Sequence, residues 1–130
     1  MLFTFHDFVD SSGTNQIHQW INAKPKRAKA KMNERIRHLE QLDQGQWGNL
    51  IKPLRGADCQ GLLELRLRAG GVQYRPLACY GPASGQITIL VGATERGDQL
   101  VPASACRTAQ QRCAVIEKGQ SAHVVPHDFS

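Results

Sequence analysis

Hydrophobic positions along the chain follow two periods, and the change between them falls near Gly61. Leu2 to Val9 alternates, with Leu2, Thr4 and His6 set against Phe3, Phe5 and Asp7, which predicts a first strand. Asp10-Ser11-Ser12-Gly13 reads as a loop and helix N-cap region. Thr14 to Ala23 then carries Ile17, Trp20 and Ile21 at helical spacing. Pro25 suits the first position of a second helix, where its missing N–H costs nothing. That helix runs to about Leu42, with Ala28, Met32, Ile36, Leu39 and Leu42 as one apolar stripe. So tight a link predicts an antiparallel helical hairpin. Gln44 to Gly56, punctuated by Gly and Pro, reads as a loop.

Beyond Gly61 the period is two. Leu63, Leu65 and Leu67 face one way and Glu64, Arg66 and Arg68 the other. Ala69-Gly70-Gly71 supplies a hairpin turn, and Val72 to Tyr80 is the returning strand. Gly81 to Gly85 turns again into a third strand, Gln86 to Ala93. Pro76 cannot donate to a ladder, so a bulge or an unpaired position is expected there. A last helix spans about Ala103 to Glu117 with Gly119 as its stop. The fold class is therefore α+β: a short N-terminal strand, a helical hairpin, a three-stranded antiparallel meander and a C-terminal helix. Residues 1–118 make one domain, and 119–130, which lack periodicity, a flexible tail.

A chain of 130 residues can bury a core without disulfide staples. Lys and Arg outnumber Asp and Glu by 16 to 11, a formal charge of +5, which points weakly to nucleic acid or an acidic partner. The basic run from Lys24 to Arg37 is spread around its helix and reads mainly as a solvated face. No signal peptide is visible, and no run approaches the roughly 18 apolar residues of a membrane span. A cytoplasmic protein without membrane contact is expected. The cysteines at 59, 79, 106 and 113 lack zinc-site spacing and read as small, partly buried hydrophobes. No cofactor or metal is expected.

Candidate chemistry gathers on the polar face of the meander. Arg66 and Arg68 project from one side of a strand, and Arg75 returns across the Gly70-Gly71 turn. Guanidinium groups match phosphate oxygens bidentately and stay charged at any physiological pH. Glu64 is the carboxylate that could join them, as proton carrier or merely as ion-pair partner. Lys52 and Arg55 add charge before the sheet and Arg96 after it, while Tyr74 and Tyr80 offer stacking faces and hydroxyls.

The order of these elements resembles the RelE superfold of toxin–antitoxin toxins, most closely its phage-derived HigB-like branch. The residues that carry the likeness are Ile51-Lys52-Pro53-Leu54-Arg55-Gly56, Gly61-Leu62-Leu63-Glu64-Leu65-Arg66, Val72-Gln73-Tyr74-Arg75-Pro76-Leu77 and Leu90-Val91-Gly92-Ala93. The resemblance implies a metal-independent endoribonuclease that cuts mRNA, often on the ribosome, and inhibits translation. It also implies silencing by a cognate antitoxin, usually a helix-turn-helix protein, in a toxin–antitoxin hetero-oligomer. By this likeness Arg68 and Arg75 bind phosphate, Arg66 supports them, and Lys52 and Arg55 form the basic loop. Where relatives carry a basic pair after the third meander strand, this chain has Thr94-Glu95, with Arg96 following. Tyr74, Tyr80 and Glu64 remain alternatives for moving the proton. Two other functions fit the same elements: a ParE-like protein that blocks a topoisomerase, and an inactive prophage-derived RNA-binding module.

Overall fold

The computed structural model describes residues 1–118 and 123–130 and shows three α-helices and two sheets. Strand β1 (Thr4–Phe8) keeps the alternation of the sequence, with Phe3, Phe5 and Asp7 buried and Thr4 exposed. Helix α1 (Gln16–Asn22) starts at Asn15, whose side chain accepts a hydrogen bond from the His18 amide, so the cap lies beyond the expected Asp10–Gly13. Helix α2 (Lys26–Gln41) follows Pro25 and buries Ala28, Met32, Ile36 and Leu39.

The stretch expected as a loop contains a 3-10 turn at Gly48–Leu50 and a short strand, β2 (Ile51–Pro53). Burial of the Ile51 side chain holds that strand to the sheet. The meander is not three strands of one sheet. Its first arm is β3 (Leu63–Leu65) and β4 (Leu67–Ala69), broken at Arg66. Its second is β5 (Val72–Tyr74) and β6 (Leu77–Tyr80), broken at Arg75-Pro76, with a register shift at Leu77/Ala78 where a bulge was expected. Strand β7 (Gln86–Val91) is the third arm. The chain then forms a further hairpin, β8 (Thr94–Arg96) and β9 (Gln99–Val101), where no strand was expected. Helix α3 (Ala105–Glu117) closes this part of the chain; its expected stop, Gly119, lies outside the described residues.

The expected tail is overturned for residues 123–130. Strand β10 (Val124–Pro126) pairs antiparallel with β1, and His127 is buried. His127 Nδ1 lies 2.7 Å from Asp7 Oδ1, and its Nε2 lies 2.9 Å from Asn33 Oδ1. Asn15 Nδ2 and the Asp128 amide donate to the other Asp7 oxygen. These polar partners stand far away in sequence, which is why the segment lacks a local signal.

The larger sheet runs β10-β1-β7-β6-β3-β2, with β1 parallel to β7; the smaller runs β4-β5-β8-β9. Helices α1 and α2 cover one side of the larger sheet with Phe3, Phe5, Leu65 and Ile89, and α3 covers the other with Phe8, Leu62, Leu77 and Leu90. Gly92 lets the chain pass from β7 to β8 beneath Trp20, since a Cβ there would lie 2.0 Å from the indole. Cys59 and Cys106 form a disulfide that ties the loop before β3 to the start of α3, against the expectation of four thiols. Their side chains belong to the same cluster against α3, and only Cys79 and Cys113 are free thiols, both buried.

Candidate functional site

Both strand breaks that pass the chain between sheets lie beside one another, and their polar side chains converge there. Register sets Arg68 opposite Gln73 and Gln73 opposite Glu95, so the three share one face of the smaller sheet. Arg75 lies buried beside them. Its Nε donates to Glu95 Oε1 at 3.2 Å and stands 3.8 Å from Glu64 Oε1. Nη1 donates to the carbonyls of Tyr74 and Leu67 at 3.0 and 3.3 Å, and Nη2 donates to Gln73 Oε1. Arg66 Nε stands 3.4 Å from the same Glu64 oxygen. The Arg66 carbonyl accepts from the Arg35 guanidinium of α2, which fixes the break in place.

A shallow hollow of about 210 Å³ opens over this cluster, lined by Asn49, Arg66, Leu67, Arg68 and Arg75. Arg68 is exposed and, among the described residues, has no ion-pair partner. Glu64 is nearly buried, and that desolvation raises its carboxyl above the ordinary value of 4.5; Arg75 and Arg66 oppose the rise and Glu95 adds to it. The arrangement therefore offers two guanidinium groups to an anion, a third held as a strut, and a carboxyl able to exchange a proton closer to neutrality than usual.

The structure brings together Glu64, Arg66, Arg68 and Arg75 but not the tyrosines. Tyr74 is buried on the opposite side of β5, with its ring edge-on to Trp20 at 6.0 Å. Alternation along the strand puts it on the core side whenever Gln73 and Arg75 face the hollow. Tyr80 stands at the far end of β6, with its ring against Phe3 and its hydroxyl accepting from Gln44 Nε2 at 2.7 Å. Lys52 pairs across from Glu64 and is exposed; Arg55 is exposed in the following loop. Arg96 is exposed next to the β8–β9 turn, one residue beyond Glu95 and so on the other side of its strand. Glu95, Gln73 and Asn49 were not anticipated. Glu95 stood out only as a departure from a basic pair, and nothing in the sequence fixes the register that sets it against Arg75.

The cations of α2 form a separate surface. Lys26, Arg27, Lys31 and Arg37 are exposed, and among the described residues none makes an ion pair. Lys24 lies over the Trp20 ring and Arg37 over the Phe129 ring, at 5.0 and 4.3 Å.

Compared with known families, residues 19–114 match the one described as phage derived protein Gp49-like (DUF891). No curated protein and no solved structure matches the chain.

Proposed function

The chain belongs to the phage-derived Gp49-like family, a family associated with toxin–antitoxin systems, and from that premise we propose that it is the toxin of such a pair and acts as a metal-independent endoribonuclease on mRNA. The observation that carries the reading is the junction of Glu64 with Arg66, Arg68 and Arg75 under an open hollow. The order of strand, two helices, antiparallel strands and helix supports a RelE-like, HigB-like architecture.

In this reading an RNA phosphate enters the hollow and its non-bridging oxygens meet Arg66 and Arg68. Glu64, as carboxylate, takes the proton of the ribose 2′-hydroxyl as that oxygen attacks phosphorus. The 5′-oxygen leaves with a proton from water, giving a cyclic phosphate and a 5′-hydroxyl end. The exposed Arg68 and the half-buried Arg66 stabilise the charge that grows on the pentacoordinate phosphorus. Arg75 acts as a positioning residue, because its nitrogens already bind Glu95, Gln73 and two carbonyls. Ribosome-bound message is the expected substrate and a helix-turn-helix antitoxin the expected silencing partner in a hetero-oligomer.

The test is cleavage of ribosome-bound mRNA by purified, antitoxin-free protein. The reading expects defined cuts, with loss of about 100-fold or more in rate for Arg68→Ala or Glu64→Gln. Message left intact at micromolar protein sinks it. The engagement of Arg75 by protein acceptors favours one second reading, a ParE-like blocker of a topoisomerase that needs no catalytic cation. Inhibition of gyrase supercoiling without RNA cleavage would select it.

A further inference from the structure

The solvent side of α2 carries a trough of about 400 Å³, lined by Arg27, Ala30, Lys31, Glu34, Arg35 and His38. Arg27, Lys31 and Arg35 recur at every fourth position, so their three cations stand in one row along the helix. Like charges at that spacing repel and weaken a helix. One carboxylate, Glu34, lines the trough, and among the described residues it makes no ion pair. Arg35 is engaged by the Arg66 carbonyl, which leaves Arg27 and Lys31, both exposed, as the cations open to a ligand.

At Arg27 the trough meets a second hollow, of about 290 Å³, between the start of α2 and the β4–β5 hairpin. Pro25, Ala28, Ala69 and Val72 line it, so its side chains are aliphatic but for Arg27 and Tyr74. Ala69 and Val72 are opposite partners in the hairpin ladder and share the face of Leu67 and Tyr74. The small residues Ala69 and Gly70 leave the gap open, and Val72 stays 40% exposed beside it. Arg68 and Gln73 point to the opposite face, so this hollow and the arginine cluster use different faces of one hairpin.

We propose that the Arg27–Lys31 trough and the Val72 hollow together form a docking groove for an acidic protein segment. The segment seats one aliphatic side chain beside Val72 and sets carboxylates against Arg27 and Lys31. The cations and the aliphatic hollow select this occupant between them. RNA would answer the cations, but it has no aliphatic group. A base in the hollow would lose the water on its ring nitrogens, which aliphatic walls cannot replace. A neutral apolar peptide would fill the hollow and leave the cations unanswered. An amphipathic helix meets both demands, since residues four apart along it rise about 6 Å, as Arg27 and Lys31 do on α2. This deepens the toxin reading and rests on it for the partner's role as silencer; the aliphatic anchor docks on the hairpin face away from the arginine cluster.

The test is a titration of the whole, isotope-labelled chain, followed by the Val72 methyl and the Arg27 and Lys31 amide resonances. The first probe is a synthetic peptide of about 16 residues, with leucines on one helix face and glutamates beside them. The others are the same peptide with glutamine for glutamate, the same with alanine for leucine, and a single-stranded RNA of about 12 nucleotides. The proposal expects all three resonances to move saturably with the first peptide and either altered peptide to bind about tenfold more weakly. It expects Arg27→Glu with Lys31→Glu to weaken the first peptide by about tenfold or more, and Val72→Ser by about fivefold. All three positions are exposed, and urea midpoints near wild type show that the variants fold. The altered peptides test the groove without touching the protein. Resonances unmoved at about one millimolar peptide overturn the groove. An altered peptide that binds as well as the first overturns it too, as does tighter binding of the RNA at the same resonances. The outcomes separate from those of the cleavage assay. A docked peptide on a protein that cuts no message upholds the groove while removing the ribonuclease, and cleavage without docking removes the groove alone.

Discussion

A guanidinium carries five N–H donors, and Arg75 directs donors from all three of its nitrogens into the protein. That makes it a fastener between the two sheets, whereas Arg68, one strand away, has only solvent and the hollow before it. The two residues should therefore separate by stability. Arg75→Ala leaves Glu64 and Glu95 without their shared cation and should lower the unfolding free energy by about 3–5 kcal/mol. Arg68→Ala should stay within about 0.5 kcal/mol of wild type; urea denaturation of both variants measures the difference. Glu64 gives a pH dependence with a definite sign. Its folded-state carboxyl titrates above 4.5, so over the interval above that value the folded chain keeps a proton that the unfolded chain has released. Its contribution to stability therefore falls as pH rises through that interval. Measured against pH, the stability gap between wild type and Glu64→Gln should move in favour of the glutamine variant, and a gap that is flat would refute the shift.

At the scale of elements, some features were legible and others were not, for physical reasons. The α2 stripe and the alternation of β1 could be read because each records a single buried face at a fixed period. Pro76 announced its own break, because a missing N–H acts wherever it stands. The division of the meander between two sheets could not be read, since Leu63, Leu65 and Leu67 keep one period straight through Arg66. The grouping of Glu64, Arg66 and Arg68 survived that break, whereas the partnership of Arg75 with Glu95 depends on β8, an element without a clear apolar pattern. The C-terminal segment is the extreme case. His127, Asp128 and Ser130 look like a solvated end, and their order comes from Asp7, Asn33 and α2. Asp7→Ala removes the acceptor of three hydrogen bonds, from Asn15, His127 and the Asp128 amide, and strands a buried donor on His127 and a half-buried one on Asn15. It should cost more than about 3 kcal/mol and should expose the amides of β10 to hydrogen exchange before those of β7. Equal protection of the two strands in that variant would show that the Asp7 network does not hold the segment.

For the molecule as a whole, the Cys59–Cys106 disulfide joins what the two sheets and three helices leave loosely connected. The loop between β2 and β3 carries Arg55 and is otherwise held to α3 by a hydrogen bond from Gln110 to the Gln60 carbonyl. The bridge closes a 47-residue span that includes β3 through β9, and therefore the whole of the arginine cluster. Cross-linking a span of that length limits the unfolded chain, and loop entropy sets the effect at about 4 kcal/mol. The other two thiols do not compete for the bridge in the folded state. Cys79 and Cys113 are buried, and the hydrogen bond between them, followed by burial, pushes the Cys79 thiol far up, away from the reactive thiolate. Thiol titration should therefore find no fast-reacting group on the folded, unreduced chain. It should find two on the unfolded chain and four once the unfolded chain is reduced. Replacing Cys59 and Cys106 together by serine should lower stability by about 2–4 kcal/mol in urea without reductant and make no further difference with it. Four titratable thiols without reductant would mean that the loop bearing Arg55 is held by packing and the Gln110 bond alone.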